Sequence, residues 1–127
     1  MSVITPYQHY LDNAILGADP EQLTLMLYNS VIKFIGQALH AVEKKDVAAT
    51  HNAIVRAQDI VSHLAATLKE GYTVSAGLLE LYHYLGRRLV EANIHKDTTA
   101  LTEVLGIAEE LRDTWFQAMQ QARREKP

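Results

Sequence analysis

Two stripes of apolar residues run side by side along segment 23–42 when it is projected as a helix. The first stripe consists of Leu27, Val31, Phe34, Ala38 and Ala41. The second stripe consists of Leu25, Tyr28, Ile32, Ile35, Leu39 and Val42. A helix that packs on one core needs only one such stripe. The second stripe therefore indicates that this helix also contacts something else.

Capping residues divide most of the chain into four long helices. The expected start signals are Asp19 with Pro20, Asp46, Thr73 or Ser75, and Asp97 or Thr98. The expected helix ends are Lys44–Lys45, Gly71 and Asn93. Apolar residues recur at spacings of three and four in each predicted helix, which is typical of helices that share a core.

Short connections between such helices require neighbouring helices to be antiparallel. The predicted fold is therefore all-α, an antiparallel up-down-up-down four-helix bundle. We expect one domain over residues 1–127, with four long helices in residues 19–124. Residues 1–18 are expected to form a short N-terminal helix or lid segment, because they are apolar but too short for a stable isolated helix.

Composition excludes several classes of function. The 127 residues carry a formal net charge of −3 and contain no cysteine. The charge gives no electrostatic reason to expect a nucleic-acid partner, and disulfides and thiolate metal sites are excluded. Polar residues interrupt the longest apolar segment, so we expect no membrane insertion. No cleaved signal is evident at the N-terminus, and a soluble cytoplasmic protein is expected.

Catalytic and metal-binding patterns are weak. Glu80 and His83 form one Glu-x-x-His pair, whereas a di-iron bundle requires two such pairs and two further glutamates. A histidine phosphotransfer domain would use His51 or His63, but neither is followed by the lysine and small residue that such domains carry. We therefore expect no metal, no cofactor and no enzymatic activity.

Surplus apolar residues also occur outside the core stripes of the third and fourth helices. They are Leu79, Leu81, Tyr84 and Val90, followed by Leu105, Phe116 and Met119. Large apolar patches on monomeric proteins usually bind a partner. Two explanations stay open from the pattern alone: a groove for an amphipathic helix of another protein, and self-association, including a homodimer. In either case residues 1–18 are candidates to cover part of this surface.

Several sequence motifs occur in a fixed order along the chain. The segment "YQHY" precedes "ADPEQLTLMLYNSVIKFIGQA", and "KKDVAA", "LLELYHYLGRRLVEANIHKD" and "EVLGIAEELRDTW" follow. In content and order these motifs resemble the FliS family of flagellin-specific export chaperones. The resemblance spans about Tyr7 to Trp115. One segment, "EGYTVSAGLL", differs from the family's Gly-Gly-rich turn before the third long helix.

The resemblance implies a chaperone in the bacterial cytosol that binds the C-terminal helical segment of flagellin. It implies that the chaperone prevents premature polymerisation and delivers flagellin to the flagellar type III export apparatus. It also implies that an N-terminal segment, here around Tyr7 and Tyr10, covers part of the client groove. Such binding would couple folding of the client to its capture.

Combining the resemblance with the helical periodicity gives a set of candidate site residues. The predicted client groove consists of Leu25, Tyr28, Ile32, Ile35, Leu39, Leu81 and Tyr84. The predicted lid contains Tyr7, Tyr10 and Ile15. On this hypothesis, Ile35→Asp weakens client binding and leaves the helical content largely intact. The leading alternative is a self-associating helical module without a flagellin client, and a phosphotransfer domain is a more distant one.

Overall fold

Four α-helices make up the fold in the computed structural model, which describes residues 19–69 and 75–125. They are α1 (Pro20–Glu43), α2 (Val47–Thr67), α3 (Ser75–His95) and α4 (Thr98–Glu125). Helix α1 packs on α2 and α4, and α3 packs on the same two helices. Each helix therefore has two neighbours, α1 and α3 are diagonal, and the predicted all-α helical bundle is confirmed.

The first two helices begin where the sequence predicts. The side chain of Asp19 accepts a hydrogen bond from the backbone N–H of Gln22 at 2.8 Å, and Pro20 is the first helical residue. The side chain of Asp46 likewise accepts from the N–H of Ala49 at 3.0 Å. Each bond satisfies an N–H group that has no partner inside the helix.

The end of α3 differs from the prediction. Asn93, expected to terminate the helix in a left-handed conformation, lies inside α3. Lys96 has the positive φ, at 50°, and the N–H of Asp97 donates to the carbonyl oxygen of Ala92 at 3.1 Å. Asp97 then caps α4 by accepting from the N–H of Thr99 at 2.8 Å, as the sequence predicts.

A matching turn ends α1. Lys45 has a φ of 57°, and the N–H of Asp46 donates to the carbonyl oxygen of Ala41 at 2.9 Å. This bond pattern, with a left-handed residue just beyond the helix, usually contains glycine. Helix α2 ends at Thr67, before the expected stop at Gly71. Gly71 and the alternative start of α3 at Thr73 lie outside the described residues.

All four helices contribute to one hydrophobic core. Its largest fully buried apolar side chains are Val31, Ile35, Ile54, Leu85, Leu89, Leu101 and Val104. Burial of one such side chain contributes about 1.5–3 kcal/mol. The core also contains a hydrogen bond between the hydroxyls of Tyr28 and Tyr82, which are 2.5 Å apart. Because these residues belong to α1 and α3, the bond connects the two diagonal helices.

Candidate binding surfaces

Two of the seven predicted groove residues belong to the core. Tyr28 is 3% exposed and Ile35 is 0% exposed. Neither side chain offers surface to a partner in this structure, so their assignment to an open groove is corrected. In helical projection both residues lie near the middle of the wide apolar arc, between its two stripes, and periodicity does not show how far the core extends around that arc.

Three other predicted residues lie along one line of α1. Leu25, Ile32 and Leu39 are half-buried and seven residues apart, which places them on the same side of the helix. Ile32 and Leu39 pack partly against the core. Leu25, in contrast, lines an open groove close to the start of α1.

This α1/α4 groove is formed by Gln22, Leu25, Met26, Phe116, Met119, Gln120 and Arg123. More of its lining surface is apolar than polar, and Phe116 is 47% exposed. Methionine side chains are flexible and polarisable, so the half-buried Met26 suits a surface that adapts to a bound chain, whereas Met119 is buried beside it. Phe116 and Met119 were noted as surplus apolar residues in the sequence, but only the structure shows that they lie beside Leu25.

Trp115 holds this end of the bundle together. Its indole Nε1–H donates a hydrogen bond of 2.9 Å to the backbone carbonyl oxygen of Glu21. The bond connects α4 to the first turn of α1, and the indole packs partly against the core. The next residue, Phe116, is consequently held at the rim of the α1/α4 groove.

Leu81 and Tyr84 belong to α3, and Tyr84 contacts α4. The Tyr84 hydroxyl donates to Glu103 Oε1 at 2.7 Å, and Arg88 Nε donates to the same oxygen at 2.9 Å. Arg88 Nη1 also donates to Glu91 Oε2 at 2.6 Å. These hydrogen bonds lower the pKa of Glu103 and raise the pKa values of Tyr84 and Arg88.

The structure therefore does not bring the predicted residues into a single groove. Leu25 lies between α1 and α4, whereas Leu81 and Tyr84 lie on a shallow surface of α3 beside α4. The two surfaces share no residue. The predicted lid residues Tyr7, Tyr10 and Ile15 lie outside the described residues, so their role stays a prediction.

The candidate catalytic residues show no assembled site. Glu80 and His83 are both exposed. His51 Nδ1 is 2.9 Å from the side-chain nitrogen of Asn93. Within residues 19–69 and 75–125, no three His, Asp or Glu side chains are grouped to hold a metal ion. None of the helices in these ranges is long and apolar enough to cross a membrane.

Comparison with known proteins gives one consistent family. The family model described as flagellar protein FliS matches residues 3–122. The flagellar secretion chaperone FliS of Bacillus subtilis (strain 168) is 40% identical over 126 residues, covering 99% of this chain and 95% of that protein.

Two more distant relatives carry corresponding names. FliS of Salmonella typhimurium is 33% identical over 84% of this chain and 82% of its own length. FliSB of Pseudomonas aeruginosa is 29% identical over 91% of this chain and 94% of its own length. Both are named flagellar secretion chaperones. The chain therefore belongs to the FliS family, a family of flagellar secretion chaperones and not of enzymes.

Proposed function

We propose that this chain is a cytosolic chaperone for flagellin. It binds the C-terminal helical segment of flagellin, prevents premature polymerisation and delivers the client to the flagellar type III export apparatus. Family membership supports the role in flagellar export. The observation that carries the client assignment is the apolar α1/α4 groove with the half-exposed Phe116 at its rim.

The groove suits an amphipathic helix because both apolar and polar side chains line it. Leu25, Met26 and Phe116 offer apolar contacts to a helix face. Gln22, Gln120 and Arg123 supply polar groups. In such interfaces the buried apolar contacts provide most of the binding energy, and the polar rim orients the ligand.

Capture of a client that folds on binding also explains how release is possible. Ordering the client consumes part of the gross interaction energy, so a large contact surface still gives a moderate affinity. The N-terminal segment with Tyr7, Tyr10 and Ile15 is proposed to compete for the same surface. Because it precedes the first turn of α1, which borders the groove, covalent attachment gives it a high effective concentration there.

Calorimetric titration with a peptide of the C-terminal segment of flagellin tests the proposal, together with circular dichroism. We expect saturable one-to-one binding, a gain in helicity and a negative heat-capacity change. Absence of heat and of any helicity change, with the protein folded and monomeric, contradicts the flagellin assignment. A constitutive dimer that ignores the peptide supports the self-associating module instead.

A further inference from the structure

A second groove lies on the opposite side of the bundle, between α2 and α3. This α2/α3 groove is formed by Gln58, Val61, Ser62, Ala65, Tyr82, His83, Gly86, Arg87 and Val90. Val90 is 45% exposed, and Ile94, one turn further along α3, is 69% exposed. Exposed apolar side chains therefore occur on two opposite faces of the molecule, and the α1/α4 groove accounts for only one of them.

Small residues keep the α2/α3 groove open. Ser62 and Ala65 from α2 face Gly86 from α3 across it. A Cβ atom added at Gly86 would meet nothing within 4 Å, so packing between these helices does not require glycine there. Glycine inside a helix lowers stability relative to alanine. The open space at Gly86 allows the backbone of a bound helix to approach closely.

The charge of the α2/α3 groove indicates what kind of helix fits. Arg87 and His83 line the groove, and no acidic residue lines it. Arg88 is paired with Glu91 and Glu103. Arg87 instead lies over the ring of Tyr84 at 5.9 Å and forms no ion pair within the described residues.

We propose that the α2/α3 groove docks an acidic amphipathic helix of a second protein while flagellin occupies the α1/α4 groove. The apolar face of that helix contacts Val90 and the small residues, and a carboxylate on its edge pairs with Arg87. A second copy of this chain is a poorer match, because the groove placed against itself would juxtapose cationic groups. This inference rests on the proposed function only for the identity of the first ligand.

The two grooves share no residue, so both ligands fit on the bundle at once. The α2/α3 groove then gives a second protein a way to recognise the chaperone without displacing its client. Glu80 does not line this groove; it lies on the adjacent outer surface of α3, where Arg87 and His83 also contribute.

Two synthetic helical peptides test the inference on the full chain saturated with the flagellin peptide. One has Ala and Leu on one face and Glu on the other, and its twin has Lys in place of Glu. NMR titration is expected to shift the amide signals of Ser62, Ala65 and Gly86 with the Glu peptide. Arg87→Ala should weaken its binding about threefold, the effect of one exposed ion pair. The twin should bind more weakly.

Two substitutions that fill the α2/α3 groove provide a second test. Gly86→Leu fills the groove from α3, and Ser62→Leu fills it from α2, so a folding defect in one variant leaves the other as a test. We expect about tenfold or greater weakening of the Glu peptide and unchanged binding of the flagellin peptide. Equal binding of the Lys twin, or signal shifts confined to the region of Phe116, overturns the inference.

Failure of the two hypotheses can be distinguished. If the flagellin peptide displaces the Glu peptide from Gly86, this groove belongs to the path of the client and the inference is wrong. If the flagellin peptide does not bind at all while the Glu peptide shifts Gly86, the proposed function fails and the α2/α3 groove retains its own ligand.

Discussion

The hydroxyls of Tyr28 and Tyr82 are 2.5 Å apart in the core and connect α1 to its diagonal partner α3. Removing one hydroxyl leaves the other buried without its partner, at a cost of about 1–2 kcal/mol. We therefore expect Tyr28→Phe and Tyr82→Phe each to lower the free energy of unfolding by about this amount. The double variant should lose less than the sum, which a double-mutant cycle in urea measures. Strictly additive losses would contradict the coupling.

Burial also makes this pair sensitive to alkaline pH. Desolvation raises the pKa values of Tyr28 and Tyr82 above their ordinary value of about 10. Above that pH the unfolded chain loses these protons while the folded chain keeps them, so the stability falls as pH rises. Urea unfolding between about pH 8 and pH 11 should show a steeper loss for the unmodified chain than for the double phenylalanine variant. If stability falls equally with pH in both proteins, the two buried tyrosines do not cause the alkaline sensitivity.

The placement of Ile35 reverses the expectation for Ile35→Asp. Because the side chain is fully buried, the aspartate carboxylate would have no water and no partner. We expect a loss of about 4 kcal/mol or more, a large share of the stability of a small domain. Circular dichroism during urea unfolding measures it. Val47→Asp, at an exposed position, is the control and should change little. A folded Ile35→Asp variant with weak client binding would restore the original groove assignment.

Phe116 is the residue whose loss should affect the client most directly. Phe116→Ala removes the half-exposed ring from the α1/α4 groove, and we expect about tenfold weaker binding of the flagellin peptide with little change in stability. The adjacent Trp115 is the only tryptophan of the chain, so its fluorescence can follow the titration. Ile94→Ala is a matched control on the opposite face. If both substitutions weaken peptide binding equally, the α1/α4 groove is not the binding site.

The two lysines with positive φ offer a test of backbone strain. Lys45 and Lys96 occupy the left-handed conformation that glycine adopts without steric cost. We expect Lys45→Gly and Lys96→Gly each to raise the free energy of unfolding by about 1 kcal/mol. Lys44→Gly provides the comparison, because the φ of Lys44 is −82° and glycine should not help there. Thermal or urea unfolding decides between these outcomes.

The helix starts were predictable because local chemistry determines them. Asp19, Asp46 and Asp97 each accept a backbone N–H bond within three residues, and such bonds depend little on the rest of the fold. The end of α3 was less predictable. The side-chain oxygen of Asn93 accepts a hydrogen bond from Lys96, and its nitrogen lies beside His51 of α2, a tertiary contact that periodicity does not reveal.

The binding surfaces were only partly predictable for a related reason. Periodicity shows the angle of a side chain around its own helix but not which neighbouring helix lies at that angle. The sequence pattern therefore places Tyr28 in the groove, whereas in the structure Tyr28 is hydrogen-bonded to Tyr82 of α3 in the core. Leu25 and Phe116 come from the first and last helices, and no local pattern indicates that they line the same groove.

Both tight turns, at Lys45 and Lys96, lie at the same end of the bundle, because each joins an ascending helix to a descending one. The Trp115–Glu21 hydrogen bond and the α1/α4 groove lie at the opposite end. Two short turns thus connect the helices at one end, whereas at the other end α1 and α4 are joined by no turn and can separate by fraying of a few helical residues. Such local opening costs less free energy than global unfolding. Opening of this kind separates α1 and α4 near the groove while the helices stay packed at the end with the two turns.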